Sequence, residues 1–244
     1  MPEGPSIVIL REQTKKFAGK KVVEASGNTT KIDFDRIIGQ KIIDIRSWGK
    51  HYLICFPKFF LRIHFLLFGS YRIDEKKGTP ERLHLGFNKG EMNFYACSVQ
   101  LFEQDPDDVY DWTSDTLSPS YDHKNAIKKL KSLPKKLACD AVLDQDIFAG
   151  AGNIFKNEVL FRIKVHPQSK IGKLPARKLK QLVDETVNYA YDFLKWKKAY
   201  VLRKNWLAHT KRTCPRCNIP FIKKHLGKTN RRSFFCNNCQ KLYK

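Results

Sequence analysis

Four cysteines near the end of the chain constrain its fold more than any other feature. Cys214, Cys217, Cys236 and Cys239 have the spacing C-x2-C-x18-C-x2-C, which falls in the range of four-thiolate zinc sites. Each pair can present two thiolates from a tight turn, and the residues between the pairs can form a hairpin that brings them together. A zinc ion with four cysteine ligands has no open coordination position. We therefore predict one structural Zn2+ in a C-terminal four-cysteine zinc finger.

Disulfides are the alternative for these cysteines, and they are typical of secreted proteins. Residues 1–12 hold only a short apolar run flanked by charged residues, which is not a secretion signal. The most apolar internal stretch, residues 59–68, is far shorter than the ~20 apolar residues of a membrane span. We therefore expect a cytoplasmic protein, nucleoid-associated if it is bacterial, with no membrane partner. Cys55, Cys97 and Cys139 stand alone in apolar stretches and are interpreted as buried small hydrophobic residues.

The positive charge of the chain is concentrated in its last third. The full sequence has 46 Lys and Arg residues against 24 Asp and Glu, a net charge of +22. The residues before Lys164 carry a surplus of only 4 positive charges, whereas those from Lys164 to the end carry a surplus of 18. Such a region indicates a polyanionic partner, most often nucleic acid. A merely solvated basic face is the alternative.

Two patterns divide the rest of the chain. Residues 20–102 consist of short β-branched and aromatic runs separated by turn-forming residues, which is typical of an antiparallel sandwich or barrel. Residues 6–17 have apolar side chains at helical spacing and are followed by Gly19, so a short helix is predicted before the sheet. Residues 124–196 show a helical pattern.

These patterns predict an α+β multidomain protein. We expect a β-sandwich with a leading helix at residues 1–118, a helical domain at 119–208 and the zinc finger at 209–244. Residues 103–122 contain seven acids and no Lys or Arg, and we interpret them as a linker or solvent-facing loop.

A glycine-rich break precedes one of the predicted helices. Gly150 and Gly152 allow a tight turn, and Asn153 stands where a helix N-cap belongs. A helix N-terminus presents unpaired N–H groups and partial positive charge, so this turn is a candidate phosphate-binding site. Lys156, one turn later, strengthens that interpretation. A simple connection between two helices is the alternative.

The chain starts with Met-Pro-Glu-Gly-Pro. Removal of Met1 would leave Pro2 with a free secondary amine of pKa about 8, a nucleophile at neutral pH. Attack on C1′ of a deoxyribose would give a cationic iminium, and Glu3 could protonate a sugar oxygen as general acid. Taken alone, a proline at position 2 is unremarkable in function, because many chains begin in this way.

The start PEGP, the pair Gly49-Lys50, the segment DQDIFAGAGNIFKNE and the C-terminal RRSFFCNNCQK occur in this order along essentially the whole chain. In this combination the sequence resembles the formamidopyrimidine-DNA glycosylase and endonuclease VIII family of DNA repair enzymes. The resemblance implies a β-sandwich, a helix-two-turn-helix domain and a zinc finger, with DNA bound between the two halves.

The resemblance also implies roles for single residues. Pro2 matches the family's nucleophile and Glu3 its catalytic glutamate. Lys50 matches a lysine that contacts phosphate near the lesion and assists catalysis. Asn153 matches an asparagine that grips phosphate, and Arg231 matches the zinc-finger arginine that holds the phosphates beside the flipped nucleotide.

Two further segments match the family. The sequence HFLLFGS is similar to the loop that enters the gap left by the extruded base, with Leu67 as the first candidate wedge and Leu66 and Phe68 beside it. Their alternative place is the core of the sheet. Glu158 matches an acid of the second motif helix, and its alternative role is that of a surface acid that stabilises the helix.

The chain departs from the family in two places. Ser6 stands where the family usually has a second glutamate, which bears on the active-site network. Residues 199–213 are too short for the loop that covers 8-oxoguanine in the formamidopyrimidine-DNA glycosylases. This difference, with Gly4 and the DQD sequence, places the chain nearer the endonuclease VIII branch.

We therefore predict a bifunctional DNA glycosylase and AP lyase of base excision repair. It would remove oxidised bases, pyrimidines foremost, and cleave the strand by β,δ-elimination through a Schiff base at Pro2. The expected partner is damaged DNA, duplex or partly single-stranded, and the expected state is a monomer. A non-catalytic damaged-DNA-binding protein on the same scaffold is the alternative, favoured by Ser6 alone. A zinc-ribbon RNA or transcription module ranks last.

Overall fold

The structure is a computed structural model that describes residues 2–244. The chain forms two compact units, the first ending at Tyr110 and the second running from Asp111 to Lys244. The second unit contains both the helical region and the four finger cysteines.

The first unit is the predicted antiparallel sandwich with a leading helix. Helix α1 (Gly4–Thr14) begins two residues before the predicted start, because Pro5 fits the first turn of a helix. A short 3-10 turn (Lys15–Phe17) ends it. The strands are β1 (Val22–Ser26), β2 (Asp44–Trp48), β3 (His51–Cys55), β4 (Phe60–His64), β5 (Ser70–Ile73), β6 (Leu83–Phe87), β7 (Glu91–Tyr95) and β8 (Ser98–Phe102).

These strands form two four-stranded sheets. One has the order β1-β6-β7-β5 and the other β2-β3-β4-β8, and every neighbouring pair is antiparallel. A single hydrophobic core joins both sheets and α1: Leu10 of the helix, Ile54 and Leu61 of one sheet, and Leu85 and Phe94 of the other are all buried in it. The short apolar and aromatic runs of the sequence thus form strands whose side chains fill the core between the two sheets.

The isolated cysteines lie in the hydrophobic interior, as predicted. Cys55 and Cys97 are each 5% exposed in the first unit, and Cys139 is 1% exposed in the second. Burial raises the pKa of the Cys55 and Cys97 thiols to about 12 and that of the Cys139 thiol to about 11. All three therefore remain protonated and unreactive at neutral pH.

The acid-rich segment is more ordered than the linker we predicted. It contains helix α2 (Pro106–Val109) and a 3-10 turn (Trp112–Ser114). Asp105 and Asp111 accept backbone N–H bonds at the N-caps of these two elements, and Asp115 is buried. With Asp122 at the N-cap of the next helix, three of the seven acids are helix caps. All of the seven except Asp115 are exposed, so the segment faces solvent although it is ordered.

The second unit is mostly helical, as predicted. Its helices are α3 (His123–Lys131), α4 (Ala138–Ala141), α5 (Asn153–Arg162) and α6 (Ala176–Lys198), and its hairpin consists of β9 (Ile222–Leu226) and β10 (Arg231–Phe235). Helices α5 and α6 pack through Phe155, whose ring centroid lies 5.1 Å from that of Tyr189 and 5.7 Å from that of Phe193. The apolar face of α6 therefore buries against the helix that follows the glycine-rich turn.

Within residues 2–244, no helix has both the length and the apolar character needed to cross a lipid bilayer.

Candidate active site and nucleic-acid interface

The first candidate site lies at the start of α1. Glu3 occupies the N-cap position and is 0% exposed, yet its side chain forms no capping bond with the helix. Its carbonyl oxygen accepts the N–H of Ser6 at 2.8 Å, and Pro2 before it is half-buried. A carboxyl group held inside the unit beside Pro2 is suited to proton transfer near that residue. The predicted removal of Met1 concerns a residue outside the described range.

Lys50 lies in the tight turn between β2 and β3. Gly49 precedes it with a φ of 51°, a left-handed conformation that favours glycine. The lysine itself is half-buried. Lys50 is thus a turn residue that the hairpin holds in place, and its predicted contact with phosphate stays a prediction.

His51, which the sequence analysis did not single out, follows directly. Its pKa is lowered to about 3 by burial and by the positive charges of Arg62, His64 and Lys50. The ring is therefore neutral at physiological pH, and its Nδ1 has no hydrogen-bond partner among residues 2–244. Its register opposite His64 could be found only once the strands were paired.

The candidate wedge is exposed and does not belong to the sheet core. Leu66, Leu67 and Phe68 are 51%, 47% and 87% exposed. The turn closes through a bond from the Gly69 N–H to the Phe65 carbonyl oxygen at 2.8 Å. A Cβ on Gly69 would lie 2.1 Å from that oxygen, so the turn requires glycine. Three adjacent apolar side chains therefore project into solvent, and their predicted entry into DNA stays a prediction.

The glycine-rich turn has a different cap from the one predicted. Helix α5 begins at Asn153, and Gly152, in an extended conformation, is its N-cap. Asn153 instead uses its Nδ2 to donate to the Arg232 carbonyl oxygen at 3.2 Å, and its Oδ1 has no hydrogen-bond partner in the described chain. Gln145 stabilises the turn by accepting the Gly150 N–H and donating to the Ala151 carbonyl.

The structure corrects the prediction that Lys156 binds DNA. Its side chain is buried, with the residue 1% exposed, and its ammonium donates to the carbonyl oxygens of Arg231 at 3.2 Å and Arg232 at 3.1 Å. A buried ammonium group needs hydrogen-bond acceptors, and these two carbonyls supply them. Lys156 therefore holds the start of β10 in place and presents no ammonium to a phosphate.

Arg231 is the first residue of β10, and its side chain is exposed. Its backbone is held by α5, because Lys156 of that helix donates to the Arg231 carbonyl oxygen. Asn157, which the sequence analysis missed, completes this anchor. It is 3% exposed, accepts the Phe234 N–H at 2.9 Å and donates to the Asn153 carbonyl at 2.8 Å. The structure thus joins Asn153, Lys156 and the Arg231 backbone in one polar cluster of the second unit. No local sequence signal marks Asn157, because its partners lie far along the chain.

Glu158 is a buried anchor and not a surface acid. It is 0% exposed, and its carboxylate accepts the backbone N–H groups of Leu207, Ala208 and His209 at 2.8 to 3.0 Å. Arg162 lies 3.4 Å away on the same helix. The segment that connects α6 with the finger is therefore tied to α5.

The four finger cysteines form the predicted cluster. Their sulfur atoms all lie within 4.8 Å of one another, and the Sγ atoms of Cys214 and Cys239 are 3.8 Å apart. This separation is too long for a disulfide. It equals the value of about 3.8 Å for two thiolates on a tetrahedral zinc with Zn–S bonds of about 2.3 Å. The cluster can hold a metal ion, and a four-thiolate set leaves it no open position for chemistry.

Arg216 connects this cluster to α5. Its guanidinium lies 3.7 Å from the Cys239 sulfur, donates to the Phe161 carbonyl oxygen at 2.8 Å and stacks on the Phe161 ring at 3.9 Å. A cation at a helix C-terminus is stabilised by the unpaired carbonyls there. The same side chain therefore supports the helix end and a thiolate.

Two family models match the chain. The formamidopyrimidine-DNA glycosylase N-terminal domain matches residues 1–98, and the formamidopyrimidine-DNA glycosylase H2TH domain matches residues 113–199. The two models together cover more than half of the sequence.

Individual relatives agree with these matches. Endonuclease 8-like 3 of Xenopus laevis is 29% identical over 223 residues, covering 86% of this chain and 36% of that protein. A formamidopyrimidine-DNA glycosylase of Lactobacillus helveticus is 25% identical over 279 residues, covering 100% of each. The chain thus spans about a third of the length of the endonuclease 8-like 3 proteins that it matches.

The same fold occurs in a solved structure. Lactococcus lactis formamidopyrimidine-DNA glycosylase, bound non-covalently to DNA that contains an AP site, matches with a TM-score of 0.84 and 22% identity, covering 98% of this chain and 99% of that chain. The fold is therefore shared, although the sequences have diverged widely.

Proposed function

The chain belongs to the formamidopyrimidine-DNA glycosylase and endonuclease VIII family, and on that premise we propose that it is a bifunctional DNA glycosylase and AP lyase of base excision repair. Its proposed substrates are oxidised bases in DNA, foremost pyrimidines. The observation that carries the proposal is the wholly buried carboxyl group of Glu3 beside Pro2 at the start of α1. A carboxyl group in this position can transfer a proton to or from a group bound beside Pro2.

The proposed reaction begins at the Pro2 nitrogen after removal of Met1. The amine forms a bond to C1′ of the damaged nucleotide as the bond from C1′ to the base breaks, and the base leaves with a proton. Glu3 donates a proton to the sugar ring oxygen as the ring opens, and loss of the amine proton leaves a cationic iminium.

Strand cleavage follows from the acidity that the iminium gives the neighbouring C2′ proton. Loss of that proton expels the 3′ phosphate, and a second elimination expels the 5′ phosphate. Hydrolysis of the remaining iminium releases the opened sugar and restores the amine. Lys50, fixed in its hairpin turn, would bind a phosphate near the lesion and assist these steps.

The second unit would bind the DNA backbone. The exposed Arg231 supplies a guanidinium suited to phosphate, and the glycine-rich turn at Asn153 supplies polar groups at a helix start. Leu66, Leu67 and Phe68 would fill the space of the extruded base, because an apolar group inserted in the stack recovers part of the few kcal/mol that unstacking costs.

The preference for pyrimidines rests on the segment after α6. Residues 199–213 are short, and part of this segment is tied down by Glu158. No long loop is available there to cover an 8-oxoguanine base. This supports the prediction that the chain functions like the endonuclease VIII branch.

We further propose that the four-cysteine cluster holds Zn2+. The four sulfur atoms lie within 4.8 Å of one another, and the 3.8 Å between those of Cys214 and Cys239 fits tetrahedral coordination. The ion would stabilise the hairpin that carries Arg231 and would supply no reactive position.

A non-catalytic damaged-DNA binder is the second candidate, and Ser6 favours it. This half-buried residue of α1 stands where the family usually has glutamate. The two candidates differ in one property: the lyase must form a covalent bond with the sugar, whereas the binder cannot.

Borohydride reduction tests the proposal directly. The protein is incubated with duplexes carrying thymine glycol, 5-hydroxyuracil, 8-oxoguanine or an abasic site, and reductant traps any iminium as a stable amine. We expect trapping on the abasic site and on the pyrimidine lesions, and weaker trapping in Pro2→Gly with DNA binding retained.

An intact-mass measurement accompanies each reaction, because a retained Met1 would block the amine. The absence of a trapped species with Met1-processed protein would refute the lyase and leave the binder. Trapping that persists unchanged in Pro2→Gly would refute Pro2 as the nucleophile.

A further inference from the structure

A pocket on the β1-β6-β7-β5 sheet contains a histidine that the proposed reaction does not use. His84 on β6 is 2% exposed, and its Nε2 has no hydrogen-bond partner among residues 2–244. Glu24 on β1 and Glu91 on β7 line the same pocket, which measures about 630 Å3. The side-chain oxygen of Glu24 lies 3.7 Å from the unpartnered nitrogen.

Hydrogen bonds at Nδ1 of the His84 ring determine which of the two ring nitrogens carries the proton. The Asn93 amide nitrogen donates to the Glu75 carbonyl at 2.7 Å and to the Glu91 carboxylate at 2.8 Å. Its oxygen is thereby turned towards His84 Nδ1, 2.7 Å away. Because that oxygen can only accept, Nδ1 carries the proton, and in the neutral ring Nε2 presents a lone pair to the pocket.

The backbone directs Glu24 to this lone pair. The pairing of β1 with β6 contains a β-bulge between Val22 and Glu24. Val22 pairs with Phe87 and Glu24 with Gly86, so β1 has one extra residue over this interval. Such a bulge re-aims side chains. Glu24 pairs with Gly86, where a Cβ would lie 3.1 Å from Glu24 Cβ and 3.3 Å from His84 Nε2. The bulge and the missing side chain together open the space between the two groups.

We propose that this pocket is a binding site for a divalent transition-metal ion, with His84 Nε2 and a Glu24 carboxylate oxygen as ligands. An imidazole nitrogen and a carboxylate oxygen each bind such ions at about 2.0 to 2.2 Å. Two ligand atoms 3.7 Å apart are thus close enough to share one ion. Asn93 holds the Nδ1 side of the ring, as the outer partner of a metal-binding histidine does, and the Glu91 carboxylate, 3.8 Å from Nδ1, lies on that same side.

Three lysines line the pocket, Lys16, Lys20 and Lys89, and the first two are engaged by other groups. Lys16 forms an ion pair with Asp74 at 2.5 Å, and Lys20 donates to the Lys89 carbonyl at 3.1 Å. Glu24 has no lysine or arginine ion pair in the described chain, and its side chain is 66% exposed. A cation can therefore reach the carboxylate from solvent without breaking an existing ion pair.

Titration calorimetry with Ni2+ tests the site in the full-length protein whose finger is loaded with zinc. Ni2+ serves as the probe because it binds nitrogen and oxygen ligands well, and a zinc indicator in the same solution reports any displacement from the finger. We expect one Ni2+ per chain, bound without zinc release.

Three variants examine the ligands separately. Glu24→Gln removes an exposed carboxylate and should weaken Ni2+ binding at least tenfold. Gly86→Ala leaves both ligands but fills the space between them, and it should abolish binding. Asn93→Leu removes the outer partner and should weaken binding about tenfold.

His123→Gln is the matched control, because it removes a half-exposed histidine that lies 4.0 Å from Asp184 in the second unit. It should bind Ni2+ like the wild type. Circular dichroism and zinc content verify each fold, and should Gly86→Ala fail to fold, Glu24→Gln decides alone. The proposal is overturned if the zinc-loaded wild type binds no Ni2+, or if Glu24→Gln binds it with unchanged affinity. Either result leaves the proposed repair activity untouched.

Discussion

The side-chain oxygen of Asn157 accepts the backbone N–H of Phe234 at 2.9 Å, and so joins α5 to the second strand of the finger hairpin. Lys156 adds two further bonds from the same helix to the carbonyls of Arg231 and Arg232. The helix that follows the glycine-rich turn therefore fixes the backbone of β10, while the Arg231 side chain remains exposed. An exposed guanidinium on a fixed backbone suits phosphate binding, because the backbone has no further entropy to lose on contact.

The roles of Arg231 and Lys156 can be separated by salt. Arg231→Ala should weaken DNA binding and reduce the slope of log K against log salt by about one, because one phosphate contact no longer releases a counterion. Lys156→Met should leave that slope unchanged, since its ammonium is internal. The measurement is fluorescence anisotropy of labelled lesion DNA across a range of salt concentrations.

Lys156→Met should instead destabilise the second unit. Two buried carbonyls lose a charged donor, at a cost of about 1 to 3 kcal/mol in the free energy of unfolding. Thermal unfolding, monitored by the release of zinc, would detect this loss. A reduced salt slope in Lys156→Met, with its stability intact, would restore the original prediction that this lysine binds phosphate.

The comparison of these two residues shows what the sequence could predict. The finger was predictable because its ligands are set by local spacing, and the sandwich because short β-branched and aromatic runs between turn-forming residues are a local signal of strands. Arg231 was assigned through its position five residues before Cys236. Lys156 was misjudged because its carbonyl partners lie 75 and 76 residues away in the sequence, and no local pattern reports such a contact.

The helix caps show a second limit of sequence analysis. Asn153 is a good N-cap residue type, yet Gly152 takes that position and Asn153 enters the first turn. Glu158 has the appearance of a solvent-facing helical acid, but the segment at residues 207–209 covers it. The predicted cap was wrong, and the alternative of a surface acid at Glu158 is excluded, because tertiary packing decides between local alternatives that are close in free energy.

Glu158→Gln should loosen the segment that connects α6 with the finger. The substitution removes the negative charge from a carboxylate that accepts three backbone N–H groups, and charged hydrogen bonds contribute about 1.5 to 3 kcal/mol. Hydrogen exchange at Leu207, Ala208 and His209 should accelerate accordingly. Glu185→Gln is the control, because Glu185 lies 3.8 Å from Arg162 but binds no backbone in this segment; equal acceleration in both variants would refute the anchor.

Leu67→Ala should reduce base removal from duplex DNA while leaving cleavage of an abasic site in single-stranded DNA nearly unchanged. The wedge matters only where a base must leave the stack, which costs a few kcal/mol. Single-turnover assays on the two substrates provide the comparison. Ile43→Ala, which truncates another exposed apolar residue of the first unit, should affect neither; a loss on both substrates in Leu67→Ala would contradict a wedge.

Removal of the metal should unfold the finger and weaken DNA binding, because the energy of metal binding is also folding energy for such a module. Elemental analysis should find one zinc ion per chain in the wild type and less than one in Cys236→Ser. Cys97→Ser removes a buried thiol of the first unit and should retain one. A full complement of zinc in Cys236→Ser would exclude the four-thiolate site.

The neutral state of His51 makes the first unit sensitive to acid. Its pKa is about 3 in the native unit, owing to burial and then to Arg62, His64 and Lys50, and about 6.5 in the unfolded chain. Between these values only the unfolded chain binds the proton. The stability present above pH 6.5 is therefore lost as the pH falls towards 3, and about 1 kcal/mol of it is lost by pH 5.5.

His51→Phe should remove that share of the pH dependence. The ring of Trp48 lies 5.6 Å from that of His51, and the other tryptophans belong to the second unit, so Trp48 reports on the first unit once the others are replaced by phenylalanine. Urea unfolding of this background at pH 7.5 and 5.5, with and without His51→Phe, gives the difference directly. His64 also has a lowered pKa, and its ring lies 5.4 Å from that of His51, so the background also carries His64→Phe to remove its contribution from the comparison. An identical loss of stability between the two pH values in both would show that the native His51 ring binds a proton as readily as the unfolded one.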